Sequence, residues 1–174
     1  MMQTNNTTYL QKLKHINTII FDVDGVLTNG VLIATDNGEL WRLFNAKDGY
    51  ALKIALQKKY NLCIITGGTS IGVYERFKKL GFKHIYYKIE DKLTTLKKFL
   101  AEQNINPENT LYIGDDLPDY EAMQHCAVKC CPNDAATEIK ELSDYICHAN
   151  GGEGCAREII ELVLKSQDNW FKIK

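Results

Sequence analysis

The sequence carries no surplus of charge of either sign: 21 Lys and Arg stand against 22 Asp and Glu, a formal net charge of −1. Such a balance gives no broad attraction to nucleic acid or to an anionic membrane, so neither is expected as a partner and any phosphate must be bound by local groups. No run approaches the roughly 18 apolar residues of a spanning helix, and residues 1–15 are polar where a secretory signal would be apolar, so a cytoplasmic protein is expected. Internal repeats, low-complexity tracts and shifts of composition are also missing, which leaves no support for a domain boundary. The six cysteines include no CxxC pair, and His125, Cys126, Cys130 and Cys131 lack a second ligand pair at zinc-site spacing. Cys63, Cys126, Cys130, Cys131, Cys147 and Cys155 all sit in apolar runs and read as reduced, buried thiols.

What is present suits one globular domain: 174 residues, 45% hydrophobic and 25% charged. The expected division is a partly ordered tail over 1–16 and a single domain over 17–174. Apolar runs of strand length alternate with longer segments of helical period, the pattern of a parallel sheet threaded by crossover helices. Strands are expected at 17–22, 62–66, 84–87, 110–114, 127–130 and 145–147, and helices at 49–58, 70–80, 91–103, 118–125, 136–142 and 155–166. The fold class is therefore α/β, a Rossmann-like three-layer sandwich with a mostly parallel central sheet. One segment breaks the alternation: β-type runs at 31–34 and 39–44 flank Thr35-Asp36-Asn37-Gly38, whose Asn-Gly step suits a tight turn, so a projecting β-hairpin is expected.

Chemistry concentrates at predicted strand ends, where a parallel sheet forms its ligand crevice. Asp22-Val23-Asp24-Gly25 closes the first strand, with two acids on one side of an extended chain and a glycine for the sharp turn. A carboxylate that attacks phosphorus needs a second carboxyl for proton delivery and a divalent cation against phosphate charge. Alone, the four residues could equally be a polar strand end or a surface calcium loop. Thr66-Gly67-Gly68 follows another strand, where a hydroxyl and free amides can form an anion pocket; an ordinary turn capped by Ser70 is the alternative. Lys92 lies near a helix start, a place where lysines are usually solvated. Gly114-Asp115-Asp116-Leu117-Pro118-Asp119 clusters three acids that call for a bound cation or lysine, though Asp116 and Asp119 also suit a helix start.

Taken in order, Asp22-x-Asp24-Gly25, Thr66-Gly67, Lys92 and Gly114-Asp115-Asp116-x-x-Asp119 resemble the four motifs of the haloacid dehalogenase superfamily, over roughly residues 17–165. Within it the chain resembles capless phosphatases that act on 3-deoxy-D-manno-octulosonate 8-phosphate in lipopolysaccharide precursor synthesis. A sister group acts on nine-carbon 2-keto-3-deoxy acid 9-phosphates, and Lys47-Asp48-Gly49 favours the eight-carbon group. Two positions depart from the pattern: Gly68, where many relatives carry a charged residue, and Glu153, where many carry a basic one.

The resemblance implies Asp22 as nucleophile, Asp24 as acid and then base, Thr66 and Gly67 on the phosphoryl oxygens, and Lys92 on the nucleophile and phosphate. It implies Mg²⁺ between the Asp22 carboxylate, the Asp24 backbone carbonyl and Asp115, with Asp116 orienting Lys92 or a water and Asp119 supporting the loop. Lys47, Arg76 and Arg157 are candidate cations for a sugar-acid carboxylate. Neither insertion point is long enough for a cap domain, so a capless homotetramer is expected, joined through the hairpins, with Gly151–Arg157 a candidate cover for a neighbour's site. Two other classes compete. A signalling receiver domain shares the acids, Thr and Lys, but its acceptor Asp would end the third strand, and a silent assembly module would share the fold without turnover.

Overall fold

The computed structural model describes residues 6–171. Six parallel strands form the central sheet in the order β5-β4-β1-β6-β7-β8. They are β1 (Thr18–Phe21), β4 (Asn61–Ile65), β5 (His84–Tyr86), β6 (Thr110–Ile113), β7 (Val128–Cys131) and β8 (Tyr145–Ile146). The side-chain alternation of an extended strand divides the core in two. Ile19, Phe21, Leu62, Ile64, Leu111 and Ile113 face a cluster with Leu52, Phe77 and Ile160. These belong to α2 (Ala46–Gln57), α3 (Ile71–Leu80) and α7 (Cys155–Ser166). Ile20, Cys63, Ile65 and Tyr112 face the other way, toward Leu96, Phe99, Met123 and Ile139. These come from α4 (Lys92–Glu102), α5 (Tyr120–Gln124) and α6 (Thr137–Leu142). The result is the expected three-layer α/β sandwich.

Local differences have local causes. The expected tail contains α1 (Asn6–Leu13), a helix held because Tyr9, Leu13 and Ile16 are buried in the α7 layer. Gln167 Nε2 donates to the carbonyls of Leu13 and Ile16, both at 2.8 Å, and closes its end. The expected helix at 118–125 starts as a 3₁₀ turn over Leu117–Asp119 and becomes α-helical only at Tyr120. The hairpin is present but short, with β2 (Ile33–Ala34) antiparallel to β3 (Leu40–Trp41). Thr35 and Gly38 close its turn, with Gly38 at φ +82°. All six cysteines are buried and free.

Hairpin residues Val31, Leu32, Ile33, Leu40, Trp41 and Leu43 are between 42% and 68% exposed. An apolar set of that size is unusual on a lone surface element. Phe44, at its base, is instead packed edge-on against Phe77.

Candidate active site

Strand register places the acids. Phe21 pairs with Ile113 on one side and Ile64 on the other, so Asp22 leaves the sheet level with Gly114 and Ile65, one residue below Asp115 and Thr66. The Asp22 amide continues the ladder to the Ile113 carbonyl at 3.0 Å. The chain then coils, with the amides of Val26, Leu27 and Thr28 all donating to the Val23 carbonyl. Gly25 is required twice over: its φ is +90°, and a Cβ there would lie 2.0 Å from Asp115 Oδ2.

Lys92, 7% exposed at the first position of α4, ties the cluster together. Its Nζ lies 2.8 Å from Asp119 Oδ1 and 3.0 Å from Asp22 Oδ1, and only the first contact has hydrogen-bond direction. Asp119 is fully engaged: Oδ1 also accepts from the Tyr112 hydroxyl at 2.8 Å, and Oδ2 from the Asp115 amide at 3.3 Å. Burial works against the charge on Lys92, but Asp22 and Asp119 more than offset it and hold its pKa above the ordinary value. The acids are raised too, which for them disfavours the charged form. Burial, then the charge of Asp119, raises Asp22 to about 7 against the pull of Lys92, and burial, then Asp22 and Asp119, raises Asp115 to about 8.

Asp115 Oδ1 is buried with no hydrogen-bond donor, and buried Asp22 Oδ1 has only the Lys92 ammonium, 3.0 Å away and out of hydrogen-bond direction. One carboxylate oxygen from each of Asp22, Asp115 and Asp119 lies within 4.8 Å of the others, so the three can hold a divalent metal ion. An all-oxygen set suits a hard divalent cation, which would offset the carboxylate charge that Lys92 alone does not balance. Asp119 has its oxygens committed already, which makes Asp22 and Asp115 the natural direct ligands.

Asp24, Thr66, Gly67, Gly68 and Asp116 line the same cleft. Thr66 Oγ1 accepts from the Gly68 amide at 3.2 Å and keeps its own proton to donate. Asp24 is gripped by Arg42, with Nε 2.6 Å from Oδ1 and Nη2 2.9 Å from Oδ2. Arg42 was not among the candidates from sequence; the available signal was a cation at the same strand face as Leu40 and Phe44. Tyr112 was also missed, and its signal was a phenol in a fully buried strand, which needs a partner.

Asp116 stands at the rim of the cleft, and Lys47, Arg76 and Arg157 lie outside it. Asp116 is exposed and caps the 3₁₀ turn through the Leu117 amide, so Asp119 rather than Asp116 holds Lys92. Lys47 is exposed in the first turn of α2. Arg76 stacks on Phe44, 4.6 Å from the ring centroid, and Arg157 pairs with Glu161 at 2.7 Å. The Gly151–Arg157 segment packs on its own chain: the Gly152 amide donates to the Val26 carbonyl at 2.8 Å, and the Arg157 amide to Asp48 Oδ1 at 2.8 Å.

Residues 84–159, which hold Lys92 and the 114–119 loop, match the model of the haloacid dehalogenase-like hydrolase family. The chain is 36% identical over 162 residues to the 3-deoxy-D-manno-octulosonate 8-phosphate phosphatase of Salmonella typhi, spanning 93% of this chain and 86% of that protein. The crystal structure of the same phosphatase from Yersinia pestis superposes with a TM-score of 0.90 at 32% identity, covering 92% of this chain and 86% of that one. The Moraxella catarrhalis enzyme, solved with magnesium ion, phosphate ion and a KDO molecule, gives a TM-score of 0.89 at 38% identity, covering 92% of each chain.

Proposed function

We propose that this chain, which belongs to the haloacid dehalogenase-like hydrolase family, is a magnesium-dependent phosphatase of a phosphorylated sugar acid, with 3-deoxy-D-manno-octulosonate 8-phosphate as substrate. The observation that carries the chemistry is the gathering of the Asp22 and Asp115 carboxylates, with a buried lysine 3.0 Å from Asp22, beside the Thr66–Gly68 turn. The substrate is supported by what the Salmonella, Yersinia and Moraxella proteins act on or hold.

In this reading a carboxylate oxygen of Asp22 attacks phosphorus as the bond to the sugar oxygen breaks, and Asp24 gives that oxygen its proton. Asp24 then takes a proton from water, whose oxygen attacks phosphorus and breaks the bond to Asp22, releasing phosphate. Thr66 and the Gly67 amide hold phosphoryl oxygens, and Lys92, fixed by Asp119, offsets their charge. Magnesium held by Asp22, Asp115 and the Asp24 carbonyl would supply the further positive charge that a phosphoryl group demands.

The assembly belongs to the same proposal. The exposed apolar hairpin fits a homotetramer joined through it, and Lys47, Arg76 and Arg157, absent from this chain's own cleft, remain candidates for the sugar-acid carboxylate. Free buried thiols suit a reducing cytoplasm, and among the described residues no helix is long and apolar enough to cross a membrane.

The test is phosphate release from eight-carbon and nine-carbon sugar-acid phosphates and from simple sugar phosphates, with Mg²⁺ or chelator. The eight-carbon compound is expected to have the highest kcat/KM, chelator to stop turnover, and Asp22→Asn to be inactive yet folded. Preference for the nine-carbon acid would overturn the substrate, and full activity in chelator would overturn the mechanism.

A further inference from the structure

We infer that Arg42, on the hairpin, is a positioning residue that holds the acid and base Asp24 over the phosphate-binding turn; this rests on the roles given above to Asp22 and Asp24. The contact is a two-pronged fork, Nε to Oδ1 at 2.6 Å and Nη2 to Oδ2 at 2.9 Å, in the planar geometry that favours guanidinium over ammonium. The arginine is itself anchored, its Nη1 donating to the Leu40 carbonyl at 2.8 Å, and its side chain is only 5% exposed. The Asp24 side chain is 30% exposed and among the described residues has one other side-chain hydrogen bond, from Thr28 Oγ1 at 3.4 Å, so the fork is its main restraint.

The fork restrains Asp24 without disabling it. A carboxylate offers about four acceptor positions, and Arg42 takes one on each oxygen. The pair stands directly over the turn that would bind the phosphoryl group: a Cβ on Gly68 would lie 3.3 Å from Arg42 Nη2, 3.3 Å from Asp24 Oδ2 and 3.4 Å from Thr66 Oγ1. Gly68 therefore leaves open the space that the guanidinium occupies. The hairpin thus brings a cation to the mouth of the Thr66–Gly68 turn. Its charge does not titrate in the working range, so the anchor is constant.

The experiment compares Arg42→Gln, Arg42→Lys and Arg42→Ala in the full chain with Mg²⁺, on the sugar-acid phosphate and on p-nitrophenyl phosphate. A misplaced acid and base costs on the order of 100-fold. Arg42→Gln is expected to lose about that much kcat on the sugar-acid phosphate, with KM changed less than threefold and an unchanged Tm. On p-nitrophenyl phosphate, whose leaving group needs no proton, it should release a rapid burst of nitrophenol equal to the enzyme concentration, followed by slow turnover. Arg42→Lys should recover only part of the loss, and added guanidinium ion should partly restore Arg42→Ala. A raised KM at unchanged kcat would make Arg42 a substrate ligand and overturn the inference, as would equal losses on both substrates without a burst. Turnover by Asp22→Asn would overturn the underlying catalytic reading and this inference with it; inactive Asp22→Asn beside unimpaired Arg42→Gln would overturn this inference alone.

Discussion

Replacing Asp115 by asparagine removes one of three clustered carboxyls at almost constant volume, with an effect on stability that depends on both pH and metal. In the metal-free protein, burial and the charges of Asp22 and Asp119 push Asp115 from 3.8 up to about 8. The folded chain thus keeps a proton that the unfolded chain releases near pH 4. Between about pH 4 and pH 8 the folded state binds more protons, so stability falls as pH rises, and the full penalty stands above about pH 8. A rise of about four in pKa corresponds to about 6 kcal/mol. Asp115 is not fully buried and its titration is tied to that of Asp22, which brings the realistic share to about 3 kcal/mol. The new amide gives back about 1 kcal/mol through imperfect hydrogen bonding. In chelator at pH 8.5, Asp115→Asn should therefore be about 2 kcal/mol more stable than the unmodified chain, a Tm gain of roughly 4–8 °C. At pH 6, halfway through that window, the penalty is about 1.5 kcal/mol and the gain should fall to about 0.5 kcal/mol.

Thermal unfolding with chelator or millimolar Mg²⁺ reads all four conditions. A cation cancels the penalty by binding the folded state, so Mg²⁺ should raise the Tm of the unmodified chain more at pH 8.5 than at pH 6, and do little for Asp115→Asn. Lower stability of Asp115→Asn in chelator at pH 8.5, or an equal Mg²⁺ response in both proteins, would refute this account.

Asp119→Asn should lower kcat about 10–100-fold with little change in KM, because Lys92, Tyr112 and the Asp115 amide all lean on that carboxylate; steady-state kinetics retaining normal kcat would remove it from the site. Gly152→Ala should cost about 2–4 kcal/mol in denaturant unfolding, since the residue sits at φ +67° and its new Cβ would meet the Asn29 nitrogen at 2.5 Å. An unchanged midpoint would contradict the packing of that turn on the 25–29 loop. Trp41→Glu with Leu43→Glu should lower the solution mass measured by light scattering, because both side chains are at least 59% exposed in the single chain. Unaltered mass would mean that the hairpin is not the contact.

The layers, the strand order of chemistry along the chain and the hairpin were legible because periodicity and turn residues act over a few positions. Six strand segments and the α7 bounds were read nearly as they stand, since runs such as Thr18–Phe21 and Asn61–Ile65 are apolar and bounded by turn signals. The α1 helix was not legible. Asn6–Leu13 is mostly polar, and what holds it is the burial of Tyr9 and Leu13 against residues 150 positions away in the chain, which no local pattern records.

The site divides in the same way. Asp22, Asp24, Thr66 and Asp115 stood out in the sequence as candidates because each belongs to a short motif at the end of a strand, and a parallel sheet gathers its strand ends on one edge; Lys92, at a helix start, stood out only through the family resemblance. Which partner each of them meets was decided only in three dimensions. Asp119 rather than Asp116 takes Lys92, because the 3₁₀ turn swings the first acid inward and leaves the second to cap the turn in solvent. Arg42 reaches Asp24 because the hairpin folds back over the Thr66–Gly68 turn, and Gly151 fits against Gly25 because neither has a side chain, a Cβ on Gly151 falling 1.8 Å from the Gly25 carbonyl oxygen. Motifs fix the kinds of group that arrive at a sheet edge; hydrogen-bond direction and close packing between distant segments select the pairs among them, and those depend on distances that sequence spacing does not contain.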